Sequence, residues 1–125
     1  MRLAHINNNS SIYGFGNSFA IWMQGCSLKC KGCWNKSMHD FEGGFYIKTE
    51  DLIIQIKESI EKNNIKCVTI LGGEPLEQLD ELLELMKLIK KLDIGIILYT
   101  GYEKEEINSS DKIKILDYAD LLISG

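Results

Sequence analysis

Apolar positions along this chain follow two rhythms. Phe19-Ala-Ile-Trp-Met23, Cys67-Val-Thr-Ile-Leu71, Ile94 to Tyr99 and Asp120 to Ile123 are short, largely apolar runs, the pattern of strands. Between them the spacing lengthens to that of helices. Leu52, Ile53, Ile56 and Ile60 form one apolar stripe, with Thr49 placed to cap it and Glu50 and Asp51 in its first turn. Leu79, Leu82, Leu83, Met86 and Ile89 form a second, with Glu84, Lys87 and Lys91 on the solvated side. Glu103 to Leu116 reads as one or two short helices interrupted near Asn108-Ser-Ser-Asp111. Strand-like and helix-like segments therefore alternate, which predicts an α/β fold: a parallel sheet of alternating strand–helix units. The Leu and Ile stripes are core, with no function assigned to them.

Composition narrows the class. With 125 residues and 45% apolar content the chain reads as one domain, 1–125, with enough material for a core. A net charge of −4 argues against a general nucleic-acid binder. No apolar stretch approaches the roughly 20 residues of a membrane span, so no membrane partner is expected. The N-terminus Met-Arg-Leu-Ala-His lacks an apolar signal core, and the expected location is cytoplasmic.

The candidate chemistry lies in Gly25-Cys-Ser-Leu-Lys-Cys-Lys-Gly-Cys-Trp-Asn35. Three thiolates on one short loop, Cys26, Cys30 and Cys33, can hold three irons of a cubane cluster and leave the fourth iron without a protein ligand. A four-cysteine site is closed and suits electron transfer, whereas a site one ligand short can bind a substrate directly to metal. Disulfides are disfavoured, because three of the four thiols crowd into eight residues. Structural zinc is the stronger rival, but it needs a fourth ligand, for which only Cys67, His5 and His39 are available. Cys67 opens an apolar run and reads as a buried core thiol.

Three segments then fall at one edge of the predicted sheet. The cysteine loop follows the first strand, Gly72-Gly-Glu-Pro75 the second and Thr100-Gly-Tyr102 the third. In parallel α/β folds, ligands bind at the C-terminal ends of the strands. The Gly72-Gly73 pair lets backbone approach a ligand closely, and Glu74 or neighbouring carbonyls can accept hydrogen bonds from an ammonium group. Alone, these four residues are a turn and a helix start, with Pro75 at a favoured early position.

The spacing Cys-x-x-x-Cys-x-x-Cys together with Gly72-Gly-Glu-Pro75 resembles the signature of radical S-adenosylmethionine (SAM) enzymes. Within that superfamily the chain is most similar to the activating proteins of anaerobic (class III) ribonucleotide reductases and of glycyl radical enzymes. Tyr13-Gly-Phe-Gly-Asn17 resembles their Gly-x-Gly-Asn segment, Gln24-Gly-Cys26 opens the cluster loop, Lys31-Gly-Cys-Trp-Asn35 resembles their x-Gly-Cys-aromatic-Asn, and Tyr99-Thr-Gly-Tyr102 their third-strand end. Gly32 before the third cysteine and Trp34 after it are the features that favour this group.

The resemblance implies a partial, open TIM-type barrel and a 4Fe-4S cluster on Cys26, Cys30 and Cys33. It implies SAM contacts from Gly32, Trp34, Asn35, Gly72, Gly73, Glu74, Pro75 and Thr100, and no side chain as general acid or base. It implies further that one electron from the reduced cluster cleaves SAM and that the resulting radical takes hydrogen from a glycine of a large partner, an anaerobic ribonucleotide reductase, with flavodoxin or ferredoxin as electron donor. The alternatives are a radical-SAM enzyme acting on a peptide or small metabolite, and a non-enzymatic zinc or iron–sulfur module. The chain departs from the group at Ser18, where arginine is common, and over Lys36 to Asp40, a loose match. The chain ends at Gly125, directly after its last predicted strand, so it is expected to be either an unusually short open sheet or a piece of a longer protein.

Overall fold

The computed structural model describes residues 1–10, 17–25, 44–103, 107 and 110–123. A six-stranded sheet has the order β3-β1-β2-β4-β5-β6, with β1 Arg2–Ser10, β2 Ser18–Met23, β3 Phe45–Tyr46, β4 Cys67–Gly72, β5 Gly95–Tyr99 and β6 Leu121–Ile123. Helices α1 (Thr49–Asn63), α2 (Leu79–Lys90) and α3 (Ser110–Tyr118) connect the parallel part, and a 3-10 turn, Pro75–Gln78, leads into α2. The sheet is not closed: β3 and β6 are its edges.

The four predicted strands are present within a residue at either end and run parallel, β2 to β4 to β5 to β6. The expectation of a purely parallel sheet is corrected. β1 lies antiparallel to both β2 and β3, so the sheet is mixed. Neither added strand carries a hydrophobic rhythm. β1 runs through Asn7-Asn8-Asn9, residues poor in strand propensity, and its register slips between Leu3 and His5 and between Asn7 and Ser10. β3 is two exposed residues. Both form because a neighbouring strand supplies backbone partners.

Alternation on the strands decides what is buried in the main core. Phe19, Ile21 and Met23 of β2, Val68 and Ile70 of β4, and Ile96 and Leu98 of β5 join Leu52 and Ile56 of α1 and Leu82, Leu85, Met86 and Ile89 of α2 in one cluster. Each such side chain contributes about 1.5–3 kcal/mol by leaving water. The alternate positions include Ser18 and Thr69, also buried, whose hydroxyl oxygens meet at 2.7 Å.

The start of α1 differs from expectation. Thr49 is its first helical residue and is buried, while Lys48 occupies the cap position in extended conformation and makes no side-chain capping bond. Glu50 and Asp51 in the first turn face the free N–H groups and the positive end of the helix dipole. The chain leaves α1 through Asn64 at φ 53°, a left-handed stop that asparagine tolerates. The predicted helical segment from Glu103 is partly outside the described residues; α3 begins at Ser110, inside the predicted interruption, and continues past Leu116 to Tyr118.

Candidate functional site

The parallel register ends at Met23 opposite Gly72, and there the chain after β4 turns back onto the chain after β2. Gly72 has φ +107°, and a Cβ on it would lie 2.5 Å from the Met23 nitrogen and 2.8 Å from the Met23 oxygen. Only glycine fits that approach. Gly73 N–H then donates to the Met23 carbonyl and Glu74 N–H to the Gly25 carbonyl, both at 2.8 Å. Gly25 itself has φ +104° and directly precedes Cys26. The two motifs read separately in the sequence are thus bound backbone to backbone.

Glu74 ties this turn to the third strand. Its carboxylate is buried, with 1% of the residue exposed. Oε2 accepts from Leu76 N–H at 2.9 Å and from the Thr100 hydroxyl at 2.8 Å, and Oε1 accepts from Gly101 N–H at 2.6 Å. Three of about four acceptor positions on the carboxylate are therefore filled. Burial holds its pKa above the ordinary 4.5, opposed by the Leu76, Gly101 and Thr100 hydrogen bonds and reinforced by the nearby charge of Glu77. Thr100 is also internal: its hydroxyl accepts from Tyr102 N–H at 3.2 Å, and its own N–H donates to the Ile123 carbonyl at 2.9 Å. The Tyr102 hydroxyl reaches Glu77 at 3.1 Å. Pro75 opens the 3-10 turn, as its fixed φ favours.

Of the expected site residues, the structure brings Gly72, Gly73, Glu74, Pro75 and Thr100 together at the C-terminal edge. Cys26, Cys30, Cys33, Gly32, Trp34 and Asn35 lie outside the described residues, as does His39. Cys67 is free and buried at the start of β4, beside Ser18 and Gly95. Five residues of strand, roughly 16 Å, separate it from the edge where Gly25 sits. Asn17, the end of the Gly-x-Gly-Asn segment, is at that far edge too, donating from its side chain to the Asn63 carbonyl at 3.1 Å. Among the described residues no group of three or more His, Cys, Asp or Glu could hold a metal ion.

Gln78 is a participant that sequence reasoning missed. Its side-chain amide donates to the carbonyls of Arg2 (2.8 Å) and Gln24 (3.0 Å) and accepts from Arg2 N–H (2.8 Å). No periodic signal marks it, since it stands between the Gly-Gly-Glu-Pro turn and the apolar stripe of α2.

The second strand of this mixed α/β sheet leads through Gly25 to the segment that carries Cys26, Cys30 and Cys33, and the glycine turn from the next parallel strand is bonded to that entrance. Residues 12–125 match the family model described as a 4Fe-4S single cluster domain. Among relatives, the anaerobic ribonucleoside-triphosphate reductase-activating protein of Haemophilus influenzae is 30% identical over 121 residues, covering 91% of this chain and 76% of the relative. The protein of the same name from Enterobacteria phage T4 is 29% identical over 118 residues, covering 91% and 73%. The pyruvate formate-lyase-activating enzyme of Clostridium pasteurianum is 29% identical over 123 residues, covering 93% of this chain and 51% of the enzyme. The chain belongs to the 4Fe-4S single cluster domain family and to the family of the anaerobic ribonucleoside-triphosphate reductase-activating proteins. Among the described residues no helix is long and apolar enough to cross a membrane.

Proposed function

We propose that the chain is a radical-SAM activase that generates a glycyl radical on an anaerobic ribonucleotide reductase. The observation that carries this is the backbone pairing of Gly73 and Glu74 with Met23 and Gly25, which joins the glycine turn to the entrance of the cysteine loop. The donor set fits a 4Fe-4S cluster: Cys26, Cys30 and Cys33 supply three thiolates, and the fourth cysteine, Cys67, is buried at the opposite edge of the sheet. When bound, cluster and SAM supply the one-electron chemistry that ends in hydrogen abstraction from the partner's glycine.

The protein's own residues bind and orient. With the N–H groups of Gly73 and Glu74 engaged at the cluster-loop entrance and the Glu74 carbonyl taken by Glu77 N–H, the carbonyls of Gly72 and Gly73 are the backbone acceptors proposed for the ammonium of SAM. Gly72 keeps that backbone open. Glu74, held by Leu76, Thr100 and Gly101, fixes the turn relative to β5 and retains an acceptor position for the same ammonium. Gly32, Trp34, Asn35, Pro75 and Thr100 complete the proposed cofactor surroundings. The open six-stranded sheet supports one domain with a partial barrel of the radical-SAM kind, whose strand ends face a docked reductase. Flavodoxin or ferredoxin is the proposed electron donor, and the cytoplasm the proposed location.

Anaerobic reconstitution, reduction and addition of SAM should yield 5′-deoxyadenosine. With the class III ribonucleotide reductase of the same organism, the mixture should also give the doublet of a glycyl radical in electron paramagnetic resonance (EPR). SAM cleavage without that doublet would redirect the assignment to another glycyl radical enzyme, a peptide or a small metabolite.

A further inference from the structure

The last three residues before Cys26 present three carbonyls, and each accepts a hydrogen bond from the segment after β4. Gly73 N–H donates to Met23 at 2.8 Å, Glu74 N–H to Gly25 at 2.8 Å, and Gln78 Nε2 to Gln24 at 3.0 Å. The first two donors are backbone and survive most substitutions. The third belongs to one side chain. That side chain is itself oriented by Arg2, which it meets as a strand neighbour would, donating to the Arg2 carbonyl and accepting from the Arg2 N–H, both at 2.8 Å. Gln24 N–H donates to the same Arg2 carbonyl at 3.1 Å. The Gln78 amide therefore locks β1, the exit of β2 and the start of α2 into one arrangement. A carboxylate there would turn an oxygen toward the Arg2 and Gln24 carbonyls, and an aliphatic group would leave them without this donor.

We propose that Gln78 is a positioning residue for the iron–sulfur site, setting the direction in which the chain enters the cluster loop at Cys26. This rests on the assignment of Cys26, Cys30 and Cys33 as cluster ligands. Gln78 acts through Gln24, with no contact to the cluster required.

The test compares Gln78→Ala and the isosteric Gln78→Glu with wild type and with Asp120→Asn, a variant that loses hydrogen bonds at the opposite edge of the sheet. All are reconstituted anaerobically as the full chain. Both Gln78 variants should take up iron and sulfide yet show an altered EPR line shape of the reduced cluster. They should lose iron to a chelator about tenfold faster than wild type, the low end for groups that orient metal ligands. Asp120→Asn should match wild type in both. Unchanged spectra and release rates in Gln78→Ala and Gln78→Glu, or equal changes in Asp120→Asn, would overturn the positioning role. Absence of acid-labile sulfide from reconstituted wild type would instead overturn the cluster assignment, and this inference with it.

Discussion

Each end of the parallel strands is fastened by a carboxylate that accepts from backbone N–H, two at Glu74 and one at Asp120, and the two do it in opposite ways. At the C-terminal edge, Glu74 is buried and its partners are the neutral donors of Leu76, Thr100 and Gly101. At the N-terminal edge, the Asp120 side chain is 52% exposed, accepts from Ile96 N–H at 2.7 Å and pairs with Lys90 at 2.9 Å. Desolvation dominates at Glu74 and raises its pKa. At Asp120 desolvation also pushes upward but is outweighed by the Lys90 and Ile96 hydrogen bonds and the Lys90 charge, so its pKa is lowered. An exposed pair of that kind contributes about 0–1 kcal/mol. A buried carboxylate held by neutral donors is penalised in its ionised form, and at Glu74 it fixes the turn after β4 against the end of β5.

Cysteine substitution should separate the edges most widely. Cys26→Ala, Cys30→Ala or Cys33→Ala should abolish cluster retention, because two thiolates leave two corners of the cubane labile. Cys67→Ala should keep the cluster and lose about 1 kcal/mol of packing. Iron and sulfide content after anaerobic reconstitution decides this, and comparable iron loss in Cys67→Ala would break the distinction.

Glycine substitution sharpens the same contrast without metal. Gly72→Ala forces a side chain into a positive-φ position and against Met23 backbone, a cost of about 1–3 kcal/mol from strain before the overlap is counted. Gly95→Ala, at the start of β5, meets only Asp120, Cys67 and Lys66 atoms at 3.6–4.0 Å and should change stability by no more than about 0.5 kcal/mol. Denaturant midpoints of the apo chain measure both.

Glu74→Gln comes next. An amide has one acceptor oxygen, so the Gly101 N–H loses its partner, for about 1–3 kcal/mol. The pH dependence gives the sign. Since the folded pKa of Glu74 is raised, its contribution is fully present below 4.5 and is lost as pH rises through the folded value, so wild type should lose ground relative to Glu74→Gln over that rise. A gap that widens with rising pH would contradict the raised pKa.

Asp120→Asn should have the smallest effect, under about 1 kcal/mol. Its sign is opposite: the lowered pKa makes the contribution present above 3.8 and lost as pH falls through the folded value. Urea titrations on either side of that range would show it.

Legibility followed local pattern. β2, β4 and β5 were readable because consecutive apolar residues fill both faces of a buried parallel strand. The stripes of α1 and α2 were readable because a helix buries one side. β1 and β3 were not, since an asparagine-rich segment and a residue pair become strands only when a neighbour offers hydrogen-bond partners. At the site, the glycine turn was legible as a motif, but which of its glycines is obligatory was not. Gly72 has positive φ and presses on Met23, a contact 49 residues away in the chain.

Read alone, the sequence offers a candidate donor set, three thiols within eight residues, and the alternation that brings three motifs to one edge. Spacing along the chain carries both. What the polar side chains there bind emerges from the folded chain. Glu74, expected as an acceptor for a ligand, also binds the ends of β4 and β5 together, and Gln78, unmarked in the sequence, donates to the Gln24 carbonyl just before the cysteine segment. A side-chain hydrogen bond depends on which backbone groups lie within about 3 Å, and that is fixed by strand register and burial, which no local pattern encodes.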